Sequence, residues 1–374
     1  VEPSYDIFDV AIVGAGVTGM LAAWHSVRVK RLRTLLIESR VTCGAGTTLT
    51  SGGSIGLQDK ATDESIRMAL EAIELYKSIG TVSDAPFAQV INWCGGIVTY
   101  WNETDRAVCE GVANQLTAAG VEVEDISGTR LRKLAPYMSG DIPGAFRCSA
   151  EGRIEPRRFA QLMLDYLHTK HGALLHWMPS VKIEAIEFKG GRYVLTAHGE
   201  DSDRTMSARS VLLATGAYHN EVDWPVDRSI NPRRGIILTY DSLGNMDYVM
   251  HDSSYLARKE SSDIDLGVAF SFEQRNALWR IGSSREVVGQ SHDNLDYVVQ
   301  RIRAEAERHI PGLMGRTLRS IDICFRPFEL HRKQLIVRGQ GNYRGVVSVN
   351  GQEGEGMTLA PALARRAVDL LTDD

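Results

Sequence analysis

A mixed α/β architecture, a parallel-sheet domain interleaved with an antiparallel-sheet (α+β) domain, is what this 374-residue sequence predicts. Three observations carry that prediction. An apolar run, a glycine-rich turn, a helical pattern and a second apolar run follow one another within the first forty residues. Runs with strand character, 234–240, 268–272 and 278–281, cluster in the middle of the chain. Glycine clusters sit at both ends, with no Pro-rich linker between, so the ends are expected to meet in one site.

Each element has a local reason. Asp9-Val10-Ala11-Ile12-Val13 is short, apolar and bounded by glycine, which predicts a buried strand. From Val17 to Arg28, Val17, Met20, Leu21, Trp24 and Val27 recur at helical spacing. The basic stretch 28–33 then reads as a helix end that complements the macrodipole. Thr34 to Glu38 is the second strand, completing a βαβ unit. Helices are expected over 62–79, 157–170, 294–310 and 358–371. Strand character extends over 88–100 around a Cys94-Gly95-Gly96 turn, and over 174–188, 192–198 and 210–214.

Composition narrows the function classes. Hydrophobic residues make up 43% of the chain, charged residues 24%, and the net charge is −5. Disordered, collagen-like and membrane-bundle proteins are excluded on these values, and no apolar run reaches the length of a membrane span. The acidic balance argues against nucleic acid as a partner. Five cysteines, Cys43, Cys94, Cys109, Cys148 and Cys324, stand singly. That pattern predicts reduced thiols, a cytoplasmic location and no metal site. Residues 1–6 show neither a charged n-region nor an apolar h-region, so no signal peptide is expected, while the lack of an initiator Met leaves room for an upstream segment.

Glycine is the residue in excess, 35 in all or about 9% of the chain against ~7% usually. Gly14-Ala15-Gly16-Val17-Thr18-Gly19 is a GxGxxG turn between strand and helix. Its first glycine makes the turn, its second admits a pyrophosphate and its third lets strand and helix pack closely. Helix-start N–H groups then face the phosphates. Glu38, 19 residues beyond Gly19, is placed to accept the ribose hydroxyls, with Ser39 and Arg40 following it. This predicts a Rossmann-type dinucleotide site. A second cluster, with Gly46, Thr47, Thr48, Ser51, Gly52 and Gly53, lets backbone wrap phosphates and approach a flat ring. The apolar strand ending Ala214-Thr215-Gly216 returns chain to the ligand. Contacts from both ends of the chain favour a large, permanently held cofactor, FAD rather than NAD.

These segments resemble the FAD-dependent D-amino-acid oxidase superfamily, and within it glycine oxidase and D-amino-acid oxidase most. The resemblance runs through Thr47 to Gly53, 136–145, Gly152-Arg153-Ile154-Glu155-Pro156, Arg234-Gly235, 251–256, Cys324-Phe325-Arg326-Pro327 and 351–358. It implies an FAD domain from residues 1–87, 150–222 and 325–374, and a substrate domain from 88–149 and 223–324. Arg326 is implied to pair with a substrate carboxylate, and Tyr255 to close the pocket beside it. His251 joins them as a catalytic candidate, with structural hydrogen bonding as its alternative and packing as that of Tyr255. Gly351, Gln352, Glu353, Gly354, Gly356, Met357 and Thr358 are implied to bring backbone to the flavin pyrimidine end, and a strand containing Val181 to lie by the adenine. Arg233, Arg234 and Arg285 read as solvated charges. Cys324 reads either as packing or, by resemblance to sarcosine oxidases, as a covalent flavin attachment point.

Two departures from the family lie near the pocket. Phe328-Glu329-Leu330-His331-Arg332-Lys333 replaces the family's usual turn, and Glu353-Gly354 stands where glycine oxidases carry aromatic and basic residues. The implied function is oxidation of a small amino acid or secondary amine, of the glycine, sarcosine, proline or D-amino-acid type, to its imine. The electron acceptor is O2, or a quinone or partner chain if the protein is a dehydrogenase subunit of the hydrogen cyanide synthase, opine or proline type. A homo- or hetero-oligomer is expected, and a non-catalytic FAD scaffold is the alternative from another class.

Overall fold

A computed structural model of the chain describes residues 7–60, 62–197, 204–224, 230–259, 266–329 and 334–372. The sequence segments 1–6, His198 and 330–333 discussed above lie outside the described residues. Strand Ile7–Val13 pairs in parallel with Thr34–Ile37 on one side and Arg204–Leu213 on the other. Beyond these, Leu175–Met178 and Val346–Val349 add in parallel. Ala185–Lys189, Arg192–Ala197 and Ile336–Arg338 complete eight strands through antiparallel pairs. Val10, Ala11 and Ile12 are wholly buried, as expected of a strand covered on both faces.

One face of this sheet packs four helices, Val17–Trp24, Asp63–Gly80, Pro156–His171 and Gly356–Thr372, around Ile12, Met20, Tyr76, Phe159 and Leu363. Two of them have a legible start. Asp63–Gly80 opens on a capping box between Thr62 and Ser65, and Pro156 occupies the first turn of its helix. The opposite face packs Ala11, Val13, Leu35 and Ile37 against Val181, Ile183 and Trp224.

A second eight-stranded sheet runs in the spatial order Leu318–Phe328, Asn231–Asp241, Leu278–Arg285, Gly267–Arg275, Val249–Asp252, Gly96–Tyr100, Gly144–Cys148, Val123–Ser127. It is antiparallel except where Val249–Asp252 meets Gly96–Tyr100 in parallel. Helix Leu295–His309 covers it with Val298, Val299, Ile302 and Ala306 against Phe270, Phe272, Trp279 and Ile281. A small sheet of Ser54–Ile55, Gly152–Ile154 and Ile91–Asn92 joins the two halves. The expected division at 324/325 falls inside Leu318–Phe328, which stays paired with Asn231–Asp241 along its length.

Several local expectations are corrected. The run 174–188 is two strands, because Pro179 has no N–H to give a ladder and Ser180 adopts φ +58°. Val181 therefore lies in an extended connection, its N–H bonded to the Glu38 carbonyl. Residues 87–89 form a 3-10 turn ahead of the strands at 91–92 and 96–100. The first helix is regular to Trp24 and closes as a π turn over His25–Val29, after which Lys30 pairs with Asp369 at 2.8 Å. Helices Glu103–Ala118 and Gly128–Leu134, capped by Asn102 and Ser127, are additional to those expected.

Gly19 shows how tightly the first unit is built: a Cβ there would collide with the Gly14 carbonyl and touch Ala214. Gly19→Ala is expected to lower unfolding stability by about 1–3 kcal/mol through overpacking. A shift of the urea midpoint at constant slope checks it.

Candidate active site

A cavity of about 390 Å3 runs between the two large sheets, with walls drawn from the segments 13–18, 37–59, 181–183, 214–222, 237–255, 271–283, 324–327 and 349–358. At one end lies the glycine turn. Gly14 adopts φ +100°, and a Cβ there would strike the Ala214 carbonyl, so strand 204–213 and the turn touch backbone to backbone. Gly16, Val17 and Thr18 line the wall. Thr48 Oγ1 accepts the Val17 N–H at 3.0 Å, which links the second glycine loop to the start of the first helix.

Glu38 is buried and lines the same end. Its Oε2 accepts the Ala15 N–H at 2.9 Å, and its Oε1 accepts the Arg40 N–H at 3.0 Å and the Ser39 hydroxyl at 3.2 Å. A carboxylate has about four acceptor positions, so capacity remains for a hydroxyl. Arg40 stacks on Tyr218, 5.1 Å from its ring centre, and donates to its hydroxyl. Asn350 donates to the Gly216 carbonyl at 2.9 Å, tying the C-terminal glycine loop to the turn at 214–216.

The middle of the cavity is walled by the second loop, held from the other sheet. Arg275 Nη2 donates to the carbonyls of Ser51 and Gly52, Arg280 Nη2 to that of Thr50, and the Thr47 hydroxyl donates to Phe325. Glu273 receives both guanidiniums on Oε1, from Arg280 at 3.0 Å and Arg275 at 3.2 Å. Its Oε2 is buried without a hydrogen-bond partner, on a residue of the cavity wall. Burial pushes the Glu273 carboxyl pKa up, with Arg275 and Arg280 opposing. That oxygen can accept an N–H from a bound molecule.

The far end is cationic. Arg326 projects from strand 318–328 over Gly235, where a Cβ would overlap its guanidinium. It is 7% exposed, and its Nη1 is buried without a hydrogen-bond partner. Burial pulls its pKa down, but Cys324, Tyr255 and Glu353 raise it, and the net shift is upward. Tyr255 and His251 stack with ring centres 4.4 Å apart, and both line the cavity. Glu353, at φ +49°, lines it too, and its side chain takes Arg233 at 3.2 Å and Arg285 at 3.4 Å.

The structure thus brings Gly14, Gly16, Val17, Thr18, Glu38, Ser39, Arg40, Gly46, Thr47, Thr48, Ser51, Gly52, Gly53 and Val181 to one wall system. Ala214, Thr215, Gly216, His251, Tyr255, Cys324, Arg326, Gln352, Glu353, Gly354, Gly356, Met357 and Thr358 complete it. Gly19 serves packing instead. Gly351 is outside the lining: it adopts φ +81°, and its N–H bonds the Asn350 side chain. Thr358 Oγ1 accepts the Gly56 N–H at 3.0 Å and so braces the second loop.

Arg233, Arg234 and Arg285 are not solvated, being 3%, 1% and 6% exposed. Arg234 pairs with Glu286, while the other two surround Glu353. Strand alternation gave no signal for this, since the neighbours Arg233 and Arg234 point to opposite faces and both are buried once the strand pairs with 318–328. Among the described residues one trio, Asp252, Glu305 and His309, has metal-like spacing. His309 there packs flat on Phe270, and its ring nitrogens meet the Trp101 indole and the Glu305 carbonyl, so it is a satisfied core histidine. Burial pulls its pKa down to about 4. No described helix is long and apolar enough to cross a membrane.

The positive-φ glycine turn, the buried ribose-side carboxylate and the long slot toward unpartnered donors fit a flavin dinucleotide. Comparisons agree. Residues 9–370 match the family described as FAD dependent oxidoreductase. A glycerol 3-phosphate dehydrogenase of Caloramator mitchellensis is 22% identical over 386 residues, covering 98% of this chain and 74% of that protein. Glycine oxidase of Bacillus cereus superposes with a TM-score of 0.82 at 16% identity, covering 98% and 95% of the two chains. L-alpha-glycerophosphate oxidase of Mycoplasma pneumoniae, with FAD bound, gives 0.80 at 16% identity over 98% and 95%.

Two measurements follow from this geometry. Glu38→Ala is expected to weaken FAD binding by about 10- to 100-fold, from loss of charge-assisted bonds worth ~1.5–3 kcal/mol. Titrating apoprotein against flavin fluorescence checks it. Cys324 is buried beside Arg326 within the sheet, and acid precipitation is expected to leave the flavin in the supernatant. A yellow pellet would mean a thioether.

Proposed function

Because the chain belongs to the FAD dependent oxidoreductase family, we propose that it oxidises a small amino acid or secondary amine at Cα, giving the imine. FAD, held by the glycine turn and Glu38, would supply a two-electron acceptor for the hydride. The chain's own residues bind and orient. The observation that carries the reading is Arg326, a buried guanidinium on the cavity wall with Nη1 unpartnered. Its fork matches a carboxylate bidentately and would set the Cα–H bond against the ring, so that much of the catalysis is orientation.

Tyr255, stacked on His251, would close the carboxylate end and exclude water. An amine that binds neutral needs no separate base to lose its hydride, and the imine then hydrolyses in water.

A second reading replaces the amine by a hydroxyl. It is favoured by the similarity, over 98% of this chain, to a glycerol 3-phosphate dehydrogenase. Anaerobic titration of the yellow holoprotein decides, with glycine, sarcosine, proline, D- and L-amino acids and glycerol 3-phosphate. Bleaching of the flavin band by an amine supports the first reading, and bleaching by glycerol 3-phosphate alone replaces it with the second. Silence across the panel leaves the scaffold role. Reoxidation by O2 against dye then separates oxidase from dehydrogenase. Arg326→Leu is expected to raise KM for a carboxylate substrate by the equivalent of about 2–5 kcal/mol. An unchanged KM removes Arg326 from the carboxylate role.

A further inference from the structure

The dinucleotide end of the cavity is enclosed by chain that meets itself. Strands Thr34–Ile37 and Arg204–Leu213 flank Ile7–Val13, so the segments that follow them, 38–40 and 214–222, stand on opposite sides of the glycine turn. Beyond Glu38 the cavity wall passes through Arg40, Val181, Lys182, Tyr218 and Glu221. A ribose on Glu38, with the pyrophosphate at the turn, directs the adenine into the space between these residues.

Among the described residues three crossings close a ring around that space. The first is backbone: the Ser180 and Val181 N–H groups donate to the Arg40 and Glu38 carbonyls at 3.0 and 2.9 Å. The second is backbone as well. The Asp223 N–H donates to the Glu184 carbonyl at 2.6 Å, and the Ile186 N–H to the Asp223 carbonyl at 3.0 Å. Lys182 and Glu221 pair beside it at 3.0 Å, but both are exposed, and such a pair adds little. The third crossing, from Arg40 to Tyr218, rests on side chains: a hydrogen bond of 3.0 Å and a guanidinium stacked 5.1 Å from the ring centre. Gly46 makes room for it, since a Cβ there would lie 2.8 Å from Arg40 Nη1. Opening either of the first two crossings separates paired backbone, whereas the third opens by rotation of two side chains.

We propose that the Arg40–Tyr218 contact is the clasp of a collar around the adenine end of FAD, and that the cofactor enters and leaves when this contact opens. A clasp obstructs entry and exit alike, so it slows both rates by the same factor and leaves their ratio, the Kd, nearly unchanged. Tyr218 is thereby a positioning residue that sets how long FAD stays rather than how tightly it binds. The proposal is independent of which substrate the flavin oxidises.

Flavin exchange tests it without turnover. Uptake is read as the fluorescence change on mixing FAD with apoprotein, and release by chasing isotopically labelled FAD from the holoprotein with excess unlabelled FAD. Tyr218→Phe keeps the ring and removes the hydroxyl. It is expected to raise both rates about 10-fold, as for loss of one hydrogen bond to a charged group, with Kd changed by less than about threefold. Arg40→Met, which removes the charge from the bond and the stack, is expected to raise both rates at least as far. Rates unchanged in both variants overturn the proposal. So does a release rate that rises alone with Kd weakening by the same factor, which would make the pair an ordinary contact of the cofactor. Glu38→Ala is the contrast, expected to speed release at a constant uptake rate. Unweakened FAD binding in Glu38→Ala removes the ribose assignment, whatever the two clasp variants do.

Discussion

The site depends on holding a side-chain-poor loop still between two sheets. Residues 46–53 have little of their own to pack, and glycine pays the largest conformational cost on ordering. The opposing sheet supplies the restraint. Arg275 and Arg280 reach across to the carbonyls of Thr50, Ser51 and Gly52, and Thr47 reaches back to the strand of Arg326. Those guanidiniums are partly withdrawn from water, and Glu273 neutralises both while Asp322 takes Arg280 at 2.8 Å. The same carboxylate that neutralises the clamp thereby enters the cavity wall. Loop order, sheet-to-sheet contact and the chemistry of the site are one set of interactions.

A similar economy operates just beyond the loop. Glu151 is buried and accepts N–H groups from Leu57 and Gln58, with the Gln58 side chain on its other oxygen. Gly96 has no side chain, and the Glu151 carboxylate fills the space a Cβ would take. Burial raises the Glu151 pKa, and the three bonds oppose it. Here a charge replaces a missing hydrophobic contact and directs the chain from the glycine loop toward Lys60 and helix Asp63–Gly80. Buried charge is thus spread along the whole seam between the halves, where an apolar core would leave nothing for a polar ligand to bind.

Local physics made much of this legible in the linear chain. The turn at Gly14–Gly19 needs positive φ at its first glycine and no Cβ at its third, and both demands can be read without coordinates. Apolar runs such as 10–13 and 34–37 have no stable place except inside a covered sheet, and helical periodicity at 63–80 and 295–309 matches what forms. Where the reading failed, a longer-range effect had intervened. Val181 left its expected strand because Pro179 interrupts the ladder, and its N–H turned to the Glu38 carbonyl instead. Gly351 serves a turn rather than the cavity wall, since the Asn350 side chain takes its N–H.

The arginines mark the boundary between the two kinds of information. Arg326 was implied only by the family resemblance, whereas the sequence by itself determined the dinucleotide turn, the acid that follows it and the glycine clusters at both ends of the chain. These follow from backbone freedom, from apolar periodicity and from motif order along the chain. Only the tertiary structure decided that Arg233 and Arg285 are buried around Glu353 and that Arg234 belongs to Glu286. An arginine's charge is identical in solvent and in a core. Its role is set by which carboxylates the fold brings within reach, and that depends on strand and loop placement for residues as far apart as 233 and 353.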